Sequence, residues 1–252
     1  MISIKSPREI KLMREAGRIV ALVHQEMAKM IKPGVTTLEL DQAAAKIIKD
    51  NDASASFLNY NGFPYSICAS PNEVLVHGFP NQTKLKEGDI ISIDVGAKYH
   101  GYHGDAARTY PVGKVTAEAK NLIAAAEQSL LEGLKLVKAG VPLRDICARI
   151  GEYCDDMGYS VPLDYTGHGV GSLLHEDPMI PNYATNSRVI LKAGMTLAIE
   201  PMLHVGKPQT KTLSDNWTVI TRDKSLSAHH ENTILVTNDG YEVLTKLENK
   251  EG

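Results

Sequence analysis

A chain of 252 residues, 43% hydrophobic and 23% charged, carries enough apolar material for one large core or two small ones. Its net charge of −3 and lack of a basic tract exclude nucleic acid as an expected substrate, and no apolar run is long enough to span a bilayer. Three cysteines with no CxxC pair, Cys68, Cys147 and Cys154, fit a reduced cytosolic protein, and the opening MISIKSPREI has no signal-peptide apolar segment.

Ser6, Pro7 and Glu9 form a capping box with proline at the first helical position. The helix they open carries Ile10, Met13, Ile19, Val20, Val23, Met27 and Met30 at roughly helical spacing. Pro33-Gly34 stops it, and Thr36 with Glu39 opens a second helix to about Asp50. Residues 51–83 read as loop with short strands, and 89–112 as a β-hairpin. A third helix is expected over 116–137 and a fourth over 142–158, ending at Gly158. Strands are expected over 165–177, 195–204, 215–221 and 228–237, which makes the chain one α+β domain with helices covering a mostly antiparallel sheet.

One phrase occurs twice. LKEGDIISID at 85–94 recurs as LKAGMTLAIE at 191–200, and KPGVTTLEL at 32–40 resembles KAGVPLRDI at 138–146, both displaced by 106 residues. The interval is too long for a solenoid and predicts two similar half-folds, roughly 1–112 and 113–252. Such halves would bring Asp94 and its counterpart Glu200 face to face. Two carboxylates that close repel one another, and divalent cations between them would remove the conflict.

The hairpin supplies a second acid. In IISIDVGAKYHGYHGDAARTY, Ser92, Asp94 and Gly96 share one strand face, while Ile91, Ile93 and Val95 share the other. A two-residue turn at Tyr99-His100 would set Asp94 directly opposite Asp105. Glu231, in SAHHENTILVT, would play the part of Asp105 beside Glu200. His168 lies between glycines in TGHGVG, which lets backbone approach closely and leaves the imidazole accessible. GHGVG is not a phosphate-binding P-loop. His175 follows in HEDP, with His77 in VLVHGFP as its counterpart in the first half.

The ordered set Asp94, Asp105, His168, Glu200 and Glu231 resembles the metal signature of the methionine aminopeptidases, in the creatinase–prolidase pita-bread fold. The likeness runs along nearly the whole chain through KPGVTTLELD, NEVLVHGFP, GDIISIDVGAKYHGYHGD, GHGVG, HEDP, AIEPML and NWTVITRDKSLSA, and the length is similar to the bacterial type I form. The resemblance implies a single catalytic domain over 1–252 that removes N-terminal methionine with two divalent ions. Cobalt, manganese, iron or zinc could serve, and an oxygen-rich donor set favours the first three over a structural zinc site. Asp94 is implied as a bidentate ligand of one ion, Asp105 and Glu231 as bridges, and His168 with Glu200 as the rest of the other shell. Glu200 is implied to act also as general base on the attacking water, His175 as donor to the developing oxyanion, and His77 as a contact to the peptide nitrogen. Tyr60, Phe63, Cys68 and Trp217, with Phe57 and Leu174, are implied to line the methionine pocket. The expected setting is a cytoplasmic monomer that meets nascent chains with transient ribosome contact.

The chain departs from the family pattern at four places. His229 stands where glutamine is usual, Asn232 where histidine is usual, Ala106 where threonine is common, and Gly96 where threonine or serine is common. His229 shares a strand face with Glu231 and is expected either beside the ligands as a donor or among them as an extra ligand. The competing readings are a proline-directed aminopeptidase of the same fold, a non-catalytic paralogue that binds ribosomes or other proteins, and a structural metal-binding domain.

Overall fold

The computed structural model describes residues 2–247. Four helices form where local signals place them: α1 Pro7–Met30, α2 Thr37–Asp50, α3 Ala117–Leu134 and α4 Leu143–Asp156. Both capping boxes are made, with Ser6 and Glu9 opening α1 and Thr36 and Glu39 opening α2, so orphan N–H groups at each start are satisfied reciprocally.

The strands are β1 Ser54–Ala55, β2 Ile67–Pro71, β3 Val74–Val76, β4 Ile90–Tyr99, β5 Tyr102–Pro111, β6 Gly167–Gly169, β7 Glu176–Ile180, β8 Thr196–Ile199, β9 Met202–His204, β10 Thr210–Thr212, β11 Val219–Thr221, β12 Ser227–His229, β13 Asn232–Val236 and β14 Tyr241–Val243. Every strand pair among the described residues is antiparallel, but the strands divide among four sheets rather than one. The sheet β1-β4-β2, with β5 on β4, and the five-stranded sheet β14-β13-β8-β6-β7 carry the helices. Ile91, Ile93 and Val95 on β4 pack with Ile19, Val23 and Met27 of α1 and Leu40 and Ile48 of α2. Leu197 and Ile199 of β8 pack with Leu122 and Leu130 of α3 and Ile146 and Ile150 of α4. The two helix pairs thus cover matching faces, and they leave the opposite faces of β4 and β8 to carry polar groups.

The displacement of 106 residues reappears in hydrogen bonding. Gly34 N–H donates to Leu85 O and Gly140 N–H to Leu191 O, each at 2.8 Å. Leu85 N–H donates to Val35 O at 2.8 Å and Leu191 N–H to Val141 O at 2.9 Å. These bonds tie the start of α2 to the approach to β4, and the start of α4 to the approach to β8.

Four strand expectations need correction. The hairpin turns at His100-Gly101, not Tyr99-His100, so Tyr99 pairs with Tyr102. A type I′ turn needs positive φ at both central residues; His100 has φ 44° and Gly101 φ 91°. Asp94 consequently faces Ala107, and Asp105 faces Gly96. The two acids are diagonal neighbours, yet still on one face because the register moved by two. Residues 165–177 form β6, a loop carrying His175, and the start of β7. The strands expected over 195–204 and 228–237 each break at their acid. Pro201 cannot donate, and its carbonyl accepts from His230 N–H at 3.0 Å. Register continues through the double break, with Asn232 opposite Ile199 and His229 opposite Met202, so Glu231 falls opposite Glu200.

α3 and α4 are joined by a charged cluster at their solvent edge. Glu132 Oε2 accepts from Arg149 Nη2 at 2.5 Å, and its Oε1 accepts from Lys135 Nζ at 2.5 Å and Gln128 Nε2 at 3.0 Å. Hydrogen bonds from Lys135, Arg149 and Gln128 hold its carboxyl down at about 2, against 4.5 for a free glutamate. A lowered folded-state pKa stabilises above the unfolded value, and that stability is lost as pH falls through the folded one. Glu132→Gln is therefore expected to lower the unfolding midpoint at neutral pH, with the gap to the unaltered chain closing between about pH 4.5 and pH 2. Urea midpoints measured across that range check it; a gap independent of pH would show that the ion pairs are not the cause.

Candidate metal centre and peptide pocket

Behind the break points lies a cavity of about 380 Å³ lined by Asp94, Asp105, His168, Glu200 and Glu231 together with His77 and His175. Asp94 comes from β4, Asp105 from β5 and His168 from β6, while Glu200 follows β8 and Glu231 precedes β13. Gly167 and Gly169 let β6 sink between its neighbours: a Cβ on the first would lie 2.5 Å from Ala198 O, and on the second 2.1 Å from Asp177 O. His168 is held in this tight layer with Nε2 at 3.5 Å from Glu200 Oε1 and 3.9 Å from Asp105 Oδ2. Two threonines clamp β5 to the far strands. Thr233 Oγ1 donates to Asp105 O at 2.8 Å and accepts Asp105 N–H at 3.0 Å. Thr109 Oγ1 donates to His229 O at 2.9 Å and accepts His229 N–H at 2.9 Å.

The electrostatics of this cluster demand cations. Burial raises the carboxyl pKa of Asp94, Asp105, Glu200 and Glu231 above the ordinary range, and neighbouring carboxylates add to the rise at Asp94, Asp105 and Glu231. Burial also lowers the imidazoles, His168 to about 3 and His229 to about 4, so both are neutral ring-nitrogen donors at pH 7. Asp94 Oδ1, Asp105 Oδ1, Glu231 Oε1 and His229 Nε2 are buried without a hydrogen-bond partner. Orphaned buried oxygens are costly unless a ligand satisfies them. Two groups of donor atoms converge within 4.8 Å of one another: Asp105, His168 and Glu231, and Glu200, His229 and Glu231. The residues therefore fit two divalent ions sharing Glu231. Four carboxylates with imidazole form a donor set for Mn²⁺, Fe²⁺, Co²⁺ or Zn²⁺.

The entrance is apolar. Phe63 meets Trp217 edge-on at 5.2 Å and Phe79 at 5.4 Å, and Phe57, Cys68, Leu174 and Tyr60 complete the same cluster. Cys68 pairs with Asp94 across β2 and β4, so the thiol wall and the acids are rigidly related. His175 sits with its ring 4.2 Å from that of His168, and its Nδ1 lies 2.8 Å from Tyr60 Oη. His77 adopts φ 59°, a strained conformation for a side-chain-bearing residue, and faces Trp217 edge-on. All the residues singled out for the metal centre and pocket line the one cavity, save His229, whose ring is buried just behind it.

The departures divide into near and far. Asn232 turns away from the acids, its Oδ1 accepting from Arg108 Nη2 at 2.6 Å and Thr245 Oγ1 at 2.8 Å. Gly96 has no room for a larger side chain, since an added Cβ would meet Phe57 Cε1 at 2.9 Å. Ala106 is fully buried in the apolar layer under α1 and α2. Sequence reasoning missed Arg108, a half-buried guanidinium that donates to the backbone of Ala107 and Glu231 and so fixes the segment carrying Glu231. Its alternation with Asp105 places it on the other face of β5, which gives no hint of that role. Tyr165 and Met202 also line the cavity. Met202 follows the break at Pro201, across which the strand register continues.

Residues 11–238 match metallopeptidase family M24. Methionine aminopeptidase 1 of Bacillus subtilis is 53% identical over 98% of this chain and 100% of its own length. The crystal structure of a methionine aminopeptidase from Thermotoga maritima superposes with a TM-score of 0.96 at 45% identity, covering 98% of this chain and all of that one. An Xaa-Pro dipeptidase from Bacillus anthracis shares the fold at a TM-score of 0.79 and 27% identity, but this chain covers only 63% of it. The α+β architecture is thus the pita-bread fold expected from the sequence. With four acids and an imidazole gathered on that scaffold as hydrolytic metal sites require, the chain belongs to metallopeptidase family M24.

Proposed function

We propose that this chain is a methionine aminopeptidase that releases the first residue of peptides and nascent proteins. The observation that carries the reading is the convergence of Asp94, Asp105, His168, Glu200 and Glu231 at the floor of one aromatic-walled cavity. Relatives that match along their whole length bear the same activity in their names. We treat residues 1–252 as one catalytic unit of two related halves, 1–112 and 113–252; Met1 and residues 248–252 lie outside the described residues.

When bound, two divalent ions supply Lewis acidity and lower the pKa of water. Asp94, Asp105, His168, Glu200 and Glu231 would hold them, Glu231 being common to the two donor groups. Glu200 accepts the proton of the attacking water and passes it to the departing amine. His175 donates to the developing oxyanion, and Tyr60 Oη at its Nδ1 fixes the ring. His77 contacts the peptide nitrogen. Tyr60, Phe63, Cys68 and Trp217, with Phe57 and Leu174, surround a linear thioether side chain and exclude water from it. We place the enzyme in the cytoplasm as a monomer meeting new chains in transient contact with the ribosome, in keeping with three buried, unpaired cysteines. Among the described residues no helix is long and apolar enough to cross a membrane.

Metal-reconstituted chain is expected to liberate methionine from Met-Ala-Ser and to leave Ala-Pro peptides intact, as read by chromatography of the products. Preferential cleavage before proline would instead assign it to the proline-directed branch, and silence of the loaded chain on both peptides would make it a binding paralogue.

A further inference from the structure

His229 occupies a position that the five-residue ligand set leaves unexplained. Its ring is 2% exposed, and Nε2 has no hydrogen-bond partner. That nitrogen lies 3.4 Å from Glu200 Oε2 and 3.8 Å from Glu231 Oε2. Both distances exceed those of an N–H···O hydrogen bond, which ends near ~3.2 Å. The shorter one matches the spacing of two donors on one ion, because ligands at about 2.0–2.2 Å from a shared metal stand roughly 3–3.6 Å apart, and the longer lies just beyond that range. The arrangement mirrors that of His168, whose Nε2 is 3.5 Å from the other oxygen of the same carboxylate, Glu200 Oε1. The two imidazoles bracket Glu200, one at each oxygen.

The backbone holds His229 in that pose. β12 pairs it with Met202, two residues past Glu200, and Thr109 binds both its N–H and its carbonyl. A buried ring on a backbone fixed from two strands costs little further ordering when it meets an ion.

We propose that His229 Nε2 is a sixth protein ligand of the metal centre, completing a group of Glu200, His229 and Glu231 beside the group of Asp105, His168 and Glu231. The proposal rests on the reading of the cavity as a metallopeptidase centre and assigns that centre a second imidazole. Exchange of an amide-bearing side chain for an imidazole moves a site from manganese toward ions higher in the Irving–Williams order, zinc and cobalt among them. The chain would therefore hold Zn²⁺ or Co²⁺ in preference to Mn²⁺ more strongly than a relative with glutamine there.

The test uses full-length chain labelled with ¹⁵N-histidine and titrated with Zn²⁺. Two imidazole Nε2 resonances, those of His168 and His229, are expected to move to metal-bound positions, and His229→Gln removes one of them. Calorimetric titration of the same variant is expected to show Zn²⁺ binding weakened about 10–100-fold, with a smaller change for Mn²⁺. A single metal-bound imidazole in the unaltered chain overturns the proposal even if the variant does not fold. Equal Zn²⁺ affinity in a folded variant overturns it too. If the unaltered chain binds no divalent ion, this proposal and the metallopeptidase reading fall together. If two imidazoles bind zinc but loaded chain does not hydrolyse Met-Ala-Ser, only the functional reading falls.

Discussion

Glu200→Gln is expected to lower kcat on Met-Ala-Ser by about 10²–10⁴-fold, the range that loss of a positioned general base produces. Glutamine keeps the shape of the side chain and one oxygen that can face an ion, but it cannot take a proton from water. Steady-state kinetics at saturating metal separates this loss from weakened ion binding, which adding metal offsets. A rate within tenfold of the unaltered enzyme under those conditions would remove Glu200 from proton transfer and leave it a ligand alone. The expectation follows from position. Glu200 stands at a strand break, opposite Glu231 by register and bracketed by His168 and His229. No lysine or arginine makes an ion pair with it among the described residues, so divalent ions are the cations available to hold it as a base.

Removal of divalent ions is expected to abolish turnover and also to lower Tm. Buried carboxylates with orphaned oxygens cannot all stay charged without a cation, so the stripped site must take up protons or admit water. An ion present at a hundred times its Kd adds about 2.7 kcal/mol to folding stability. For a chain of this size each kcal/mol moves Tm by about 2–4 °C. Differential scanning calorimetry with chelator and then with restored Co²⁺ or Mn²⁺ should therefore show a reversible change of roughly 5–11 °C. A chain whose Tm and turnover ignore the chelator has no metal centre.

The helices were legible because their signals are local: Ser6 with Glu9, Thr36 with Glu39, and apolar residues at helical spacing need no distant partner. The acids were legible for two reasons. The phrase ending in Asp94 recurs at Glu200, and a strand alternates faces whatever its exact partner. That second point rescued the hairpin, since a register error of two positions moves Asp105 along the face without turning it over. Gly101 marked the true turn, but the tyrosine–histidine pair before it drew the centre one residue early. Pro201 marks one break, but that His230-Glu231 breaks opposite it was not legible, because that match exists only through pairing with a strand far along the chain. β10 and β14, three residues each, carry too little pattern to see. Arg108 and the bracketing of Glu200 by His229 arise from cross-strand register, which composition does not record.

The threonine clamps at Asp105 and His229 bear on biogenesis. Synthesis proceeds from the N-terminus, so the hairpin with Asp94 and Asp105 is made long before the segment that holds Glu231. Until that segment docks through Thr109 and Thr233, the hairpin's acidic face has no wall to bury it and stays hydrated. The newborn protein is thus latent, unable to trim neighbouring chains until nearly all of its own length has been translated.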